Sequence, residues 1–170
     1  MLSTRLAWDL IAIMEAWLAH LQAINWTLMT KPTPSRGRTL RNLTVNVHHP
    51  ITLLSTAWLT ARFGWNPDVD DEAIEATLQR EDDVRAYASA ASVDWMAFLT
   101  QHGDHLPESG LIISSSRADV TFSELLSYLR LHSAFHYRQL VQFLATEHVV
   151  LQGALSIDTL RDLELPAAVF

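Results

Sequence analysis

The sequence predicts an all-α domain, a four-helix bundle spanning residues 1–170. Three observations carry that expectation. Apolar residues recur at three- and four-residue spacing through four separate stretches of the chain. Segments rich in proline, glycine, serine or aspartate lie between those stretches. Apolar residues make up 49% of 170 residues, which suits a real core and argues against disorder.

Leu6, Leu10, Ile13, Trp17, Leu21 and Ile24 predict a first helix from near Thr4 to near Leu28, with Ser3 or Thr4 as its cap. Pro32, Pro34 and Gly37 mark the loop that follows, over Thr30–Gly37. Leu40, Leu43, Val47, Ile51, Leu54 and Trp58 predict a second helix from about Thr39 to Arg62. Pro50 falls inside it, so the helix either kinks there or begins its regular part there. The β-branched Val45 and Val47 weaken the first half further. Departures from good helix chemistry concentrate at functional sites, and His48 and His49 stand beside this one.

Gly64–Asp68 reads as a connector. The acidic run from Asp68 to Glu72 lacks the glycine and distal glutamate of a calcium loop and reads as a solvated helix start. A third helix is expected from about Asp71 to Gln101, breaking near Arg80, with Val84, Tyr87, Ala88, Ala91, Trp95 and Phe98 inward. Residues 103–120 form a long loop, with a short extended piece at Leu111–Ile113. Thr121 and Glu124 make a capping box that starts the fourth helix, which continues to about Glu147. Ser156 caps a short helix through Leu163, and Pro166 stops it.

Composition narrows the function classes. The net charge is -7, and no basic run or basic–aromatic stripe is present, so nucleic acid is not an expected partner. The absence of cysteine removes disulfides, thiolate zinc sites and a cysteine nucleophile together. No signal peptide is visible and no apolar run reaches transmembrane length, so a cytoplasmic location without a membrane partner is expected.

His132 and His136 are the most informative pair. Spacing of four puts both imidazoles on one helix face, one turn apart, within reach of one metal ion. Such a pair alone is more often a pair of surface or hydrogen-bonded core histidines. A third histidine from another helix changes that balance, and His48 and His49 are the candidates. The Glu-x-x-His pairs of di-iron bundles, the His-Glu-x-x-His motif, the Gly-x-Ser-x-Gly elbow and the phosphate loop are all absent. What remains is a three-histidine site, with one ligand from the second helix and two from the fourth. Three neutral imidazoles suit Zn, Ni or Fe(II) and leave a position open for water or substrate. Asn46, one turn earlier, either reaches the metal shell or caps a loosened turn. His20, His102, His105 and His148 read as surface residues. Trp8, Trp17, Trp58 and Trp95 belong to a core or a dimer interface, and Arg138 either binds an anionic group or pairs with a carboxylate.

Two segments resemble the DinB-like (YfiT-type) metalloprotein superfamily. They are Arg38-Thr39-Leu40-Arg41-Asn42-Leu43 leading to His48-His49-Pro50, and His132-Ser133-Ala134-Phe135-His136-Tyr137-Arg138-Gln139-Leu140. The resemblance implies an up-down-down-up four-helix bundle with one histidine on the second helix and a His-x-x-x-His on the fourth. Its pattern favours His49 as the first ligand, whereas helical phase favours His48, so the expected metal set is His49, His132 and His136 with His48 as alternative. It also implies a homodimer, which the surplus of apolar and aromatic residues independently suggests. Members include transferases and isomerases that use a low-molecular-weight thiol such as mycothiol, bacillithiol or glutathione. Here such a thiol, like the electrophile it attacks, has to come from outside. A non-catalytic metal-binding bundle and a metal-dependent hydrolase are the alternatives.

Overall fold

Helical periodicity becomes helix along most of the chain, and a small three-stranded sheet joins it at one end. The computed structural model describes residues 2–34, 37–106, 110–116, 118–151, 155 and 163. The short helix expected from Ser156, with its stop at Pro166, lies outside the described residues.

Helix α1 spans Leu2–Leu21. Ser3 and Thr4 lie within it and brace it to other elements: Ser3 Oγ meets Ser123 Oγ, and Thr4 Oγ1 donates to the Gly103 carbonyl at 3.2 Å. The helix stops at Leu21 rather than near Leu28 because its end is satisfied from outside. Arg85 donates to the carbonyls of Leu21 and Ile24 at 3.1 and 2.8 Å. Asn25 then caps a separate short helix, α2 (Trp26–Met29).

Helix α3 (Leu40–Thr52) starts at Thr39, whose Oγ1 accepts from the Asn42 amide at 3.1 Å. Pro50 sits inside it without ending it; the interruption comes at Leu53, before α4 (Leu54–Thr60). Ala61, at φ 55°, ends α4 in the left-handed region and turns the chain into β1 (Arg62–Phe63). A wide five-residue turn over Pro67–Asp71 leads into α5 (Glu72–Glu75). Glu75 ties that segment to the start of α3, accepting from Arg41 Nε at 2.9 Å and Asn42 Nδ2 at 2.7 Å. The break expected near Arg80 is present, and α6 runs over Glu81–His102. Strands β2 (Ile112–Ser115) and β3 (Asp119–Thr121) follow, and then α7 (Phe122–Thr146). Its capping box is formed: Thr121 Oγ1 accepts from the Glu124 amide, and Glu124 Oε2 accepts from the Thr121 amide at 2.7 Å.

The sheet order is β1-β2-β3, with β1 parallel and β3 antiparallel to β2. Arg62 faces Ser114 across one pair, and Ile112 faces Thr121 across the other. Strands this short carry no periodic signal, so only part of β2 was legible beforehand.

Contacts between helices give their directions. Ser3 meets Ser123, Asp9 meets Arg130 and His20 meets Tyr137, so α1 and α7 run parallel. Thr4 meets Gly103, Ala7 meets Trp95 and Leu21 meets Arg85, so α6 runs against α1. Arg41 meets Leu78 just before α6, and Trp58 meets Phe98 and His102 near its end, so α3 and α4 run along α6.

The apolar core has two halves. One gathers Leu6, Leu10, Ile51, Leu54, Trp95 and Phe122. The other gathers Trp17, Leu43, Val47, Val84, Ala134 and Leu140. The changeover falls between Val47 and Ile51 on α3 and between Leu129 and Ala134 on α7. His48, His49 and His132 lie at that level.

Candidate functional site

Pro50 positions the first contact. It has no N–H, so the carbonyl of Asn46, four residues earlier, lacks its regular i+4 donor. His132 Nε2 lies 3.2 Å from that oxygen and donates to it, joining α7 to α3. This leaves the lone pair of neutral His132 on Nδ1. His136 Nδ1 lies 2.7 Å from Gln139 Oε1 and donates in the same way, so its lone pair is on Nε2. The two rings meet edge to face with centroids 4.6 Å apart.

On α3, His49 Nδ1 lies 3.1 Å from Asp71 Oδ1. Asp71 is 1% exposed, so the run expected to be a solvated helix start instead delivers one carboxylate to the interior. The wide turn over Pro67–Asp71 swings it inward, while Asp68 and Glu72 on either side stay exposed. Trp65 Nε1 donates to Asp71 Oδ1 at 3.0 Å, and Asn46 Nδ2 donates to Oδ2 at 2.7 Å. Burial alone raises this carboxyl's pKa. The bonds from His49, Asn46 and Trp65 outweigh it and hold the group below the usual carboxylate range.

Asn46 is the hub. Its side chain reaches Asp71, its main-chain oxygen takes His132, and its Oδ1 accepts from Arg38 Nη1 at 3.4 Å. Trp65 meets the His132 ring edge-on at 5.2 Å, and Tyr128, one turn before His132, lies over it at 6.1 Å. Burial pulls the His132 pKa down, with Arg38 adding to the shift. Burial, His132 and Arg38 together lower His136 to about 3. Both imidazoles are therefore neutral at pH 7, the state that binds metals.

His48 faces elsewhere. It is fully buried, its Nδ1 bonds the Thr44 carbonyl at 2.8 Å, and its ring meets Trp17 edge-on at 6.1 Å. Helical phase was right about its burial, but its ring neighbour is on α1 and not on α7. His20 is also buried, with Nε2 3.0 Å from Tyr137 Oη, and is not the surface residue its sequence suggested. His102 packs against Trp58 and Phe98, while His105 and His148 are exposed. Asp71, Trp65, Arg38 and the Gln139 side chain were missed by sequence reasoning. The one available signal was Pro50, whose position frees the Asn46 carbonyl.

His48 gives this fold an acid-sensitive point. Burial lowers its pKa from 6.5 to about 4. Above the unfolded value both states are neutral and its contribution to stability is complete. Below that value the unfolded chain takes a proton that the folded chain refuses, and stability falls until the folded pKa is passed. The loss by pH 4 is roughly 3 kcal/mol from this residue. Urea midpoints measured from pH 7 to pH 4 should therefore fall less steeply in His48→Leu than in the wild type; equal slopes would contradict the assignment.

Among the described residues, no three His, Asp or Glu side chains already converge as the donors of one ion. Each expected ligand instead has one ring nitrogen engaged: Asp71 and Asn46 link His49 to His132, while His136 bonds Gln139 on its own helix and meets the His132 ring. Comparison with family models, curated proteins and solved structures finds no match to this chain.

Proposed function

We propose that His49, His132 and His136 hold one divalent transition metal, zinc, nickel or iron, in an up-down-down-up four-helix bundle of the DinB-like (YfiT-type) kind. The observation that carries this reading is the engagement of each imidazole. One nitrogen of each donates to an oxygen, on Asp71, Asn46 or Gln139, which orients the ring and leaves the other nitrogen's lone pair for a metal. The helix directions inferred from the contacts support the bundle. Metal analysis of untagged protein reconstituted at neutral pH tests the site. We expect about one equivalent, lost in His49→Ala, His132→Ala and His136→Ala and kept in His48→Ala. Less than about a tenth of an equivalent in the wild type would sink the reading.

We further propose a thiol-dependent S-transferase or isomerase. Three protein ligands leave a coordination position, and the chain has no cysteine, so the thiol is exogenous, of the mycothiol, bacillithiol or glutathione type. When bound, the ion supplies the Lewis acidity that keeps such a thiol as thiolate near neutral pH. Arg38 supplies positive charge beside His132 and His136, where an anionic group of the thiol or electrophile is accommodated. Asp71 does not favour hydrolysis, because, despite burial, the bonds it accepts from His49, Asn46 and Trp65 hold its carboxyl below the usual carboxylate range and make it a weak base. Titration calorimetry of the loaded protein with each thiol separates catalysis from a non-catalytic metal-binding role: heat with proton release supports the first, and no heat the second.

A cytoplasmic homodimer completes the proposal. No helix among the described residues is long and apolar enough to cross a membrane. Leu2, Trp8, Leu59, Val93 and Leu131 stand exposed, a surplus that a second copy can cover. Light scattering at micromolar concentration should give twice the monomer mass; a monomer mass throughout would remove the dimer.

A further inference from the structure

A cleft of about 210 Å³ opens between the sheet and the start of α7. Its walls are Phe63, Trp65, Pro67, Val120, Leu125 and Tyr128. An apolar cavity of roughly 150 Å³ holds one benzene ring. This cleft therefore suits one or two fused rings and is too small for a peptide helix.

Two of the polar groups that line it, on Glu124 and Ser115, are already engaged. Glu124 Oε2 accepts from the Thr121 amide and hydroxyl at 2.7 and 2.8 Å. Ser115 Oγ donates to the Ala118 carbonyl at 2.7 Å and accepts from the Ala118 amide at 3.2 Å. No cationic side chain lines the cleft among the described residues. A ligand carboxylate or phosphate would meet the Glu124 charge with no cation among the described lining residues to offset it, and burying an unpaired charge is costly. Ser116, exposed at the rim, offers one hydroxyl to a single polar substituent.

Two wall residues also touch the histidine site. Trp65 presents its edge to His132 and is fixed by its bond to Asp71. Tyr128 lies over the His132 ring. We propose that this cleft binds a small, uncharged aromatic molecule against Trp65 and Tyr128, beside His132. Its role as the pocket for the electrophile rests on the transferase reading above; the binding itself does not.

The test uses metal-free, full-length protein titrated with 2-naphthylmethanol and with 2-naphthoate. The readout is the indole N–H resonance of Trp65, assigned through Trp65→Phe. We expect a saturable shift with the alcohol and binding of the naphthoate at least about tenfold weaker. Ala118 lines the cleft and is exposed, so Ala118→Trp fills it from the rim and should weaken the alcohol by about tenfold or more with the fold intact. Nuclear Overhauser contacts from the probe to the Leu125 methyls in the wild type give a readout that no variant's folding can disturb. Absence of a saturable shift or of those contacts, or equal binding of the naphthoate, overturns the proposal. Probe binding without any metal uptake overturns the metal site alone, and metal uptake without probe binding overturns the cleft alone.

Discussion

Replacing Asp71 by alanine is expected to destabilise the protein by about 3 kcal/mol and to weaken metal binding by roughly ten- to a hundredfold. The carboxylate accepts from three groups on two stretches of chain, His49 and Asn46 on α3 and Trp65 before the turn. Its removal leaves the buried Asn46 amide and the Trp65 indole without their acceptor, and stranding buried donors costs more than the bonds themselves gain on folding. The His49 ring also loses the group that fixes which nitrogen carries its proton. Asp71→Asn keeps the shape but turns one acceptor into a donor facing a donor, so it should lie between wild type and alanine in both readouts. Urea denaturation and competition with a chromophoric chelator make the measurements. A stability change under about 1 kcal/mol would mean that the three bonds do not act together.

Asp71 also shows where sequence reading stopped. Helix existence followed from periodicity, because burying one face every three or four residues is a local constraint that the chain writes down directly. The Thr121–Glu124 capping box was legible for the same reason. Helix ends set by distant partners were not. The end of α1 depends on Arg85, which lies on α6, and periodicity cannot register it. The His132–His136 pair was visible because both residues share one helix face. The neighbours that orient the site come from a turn, a tryptophan and a freed carbonyl on other elements. An acidic run looks solvated in sequence, and only the wide turn over Pro67–Asp71 decides which of its carboxylates points inward. His48 and His49 are one residue apart, and their directions differ by the angle between successive helix positions. Only the packed partners, Trp17 for one and Asp71 for the other, show which way each of them faces.

The second large effect lies in the pairing of α1 with α7. Arg130 is 3% exposed and its Nε stands 2.8 Å from Asp9 Oδ2, so a guanidinium sits almost wholly inside with a carboxylate beside it. Asp9→Ala should cost about 3 to 5 kcal/mol, because it takes the carboxylate at 2.8 Å away from that buried cation. Arg130→Met should cost less. The Asp9 side chain is 18% exposed and keeps Arg5 Nε at 4.0 Å, so its carboxylate still reaches water and a cation, and a methionine fills part of the volume. Combining Asp9→Leu with Arg130→Met should recover much of the loss, since an apolar pair of similar volume replaces a buried ion pair at little cost. A double-mutant cycle of Asp9→Leu, Arg130→Met and their combination, measured by urea denaturation, gives the coupling, and strictly additive losses would show that the two charges are not coupled. Metal stoichiometry separates this pair from Asp71. Asp9 and Arg130 join α1 to α7 and are not in the proposed ligand set, so variants here should lower stability while the folded protein keeps whatever metal the wild type takes up. Asp71→Ala should lower both, and that contrast distinguishes a residue that holds the helices together from one that holds the histidines in place.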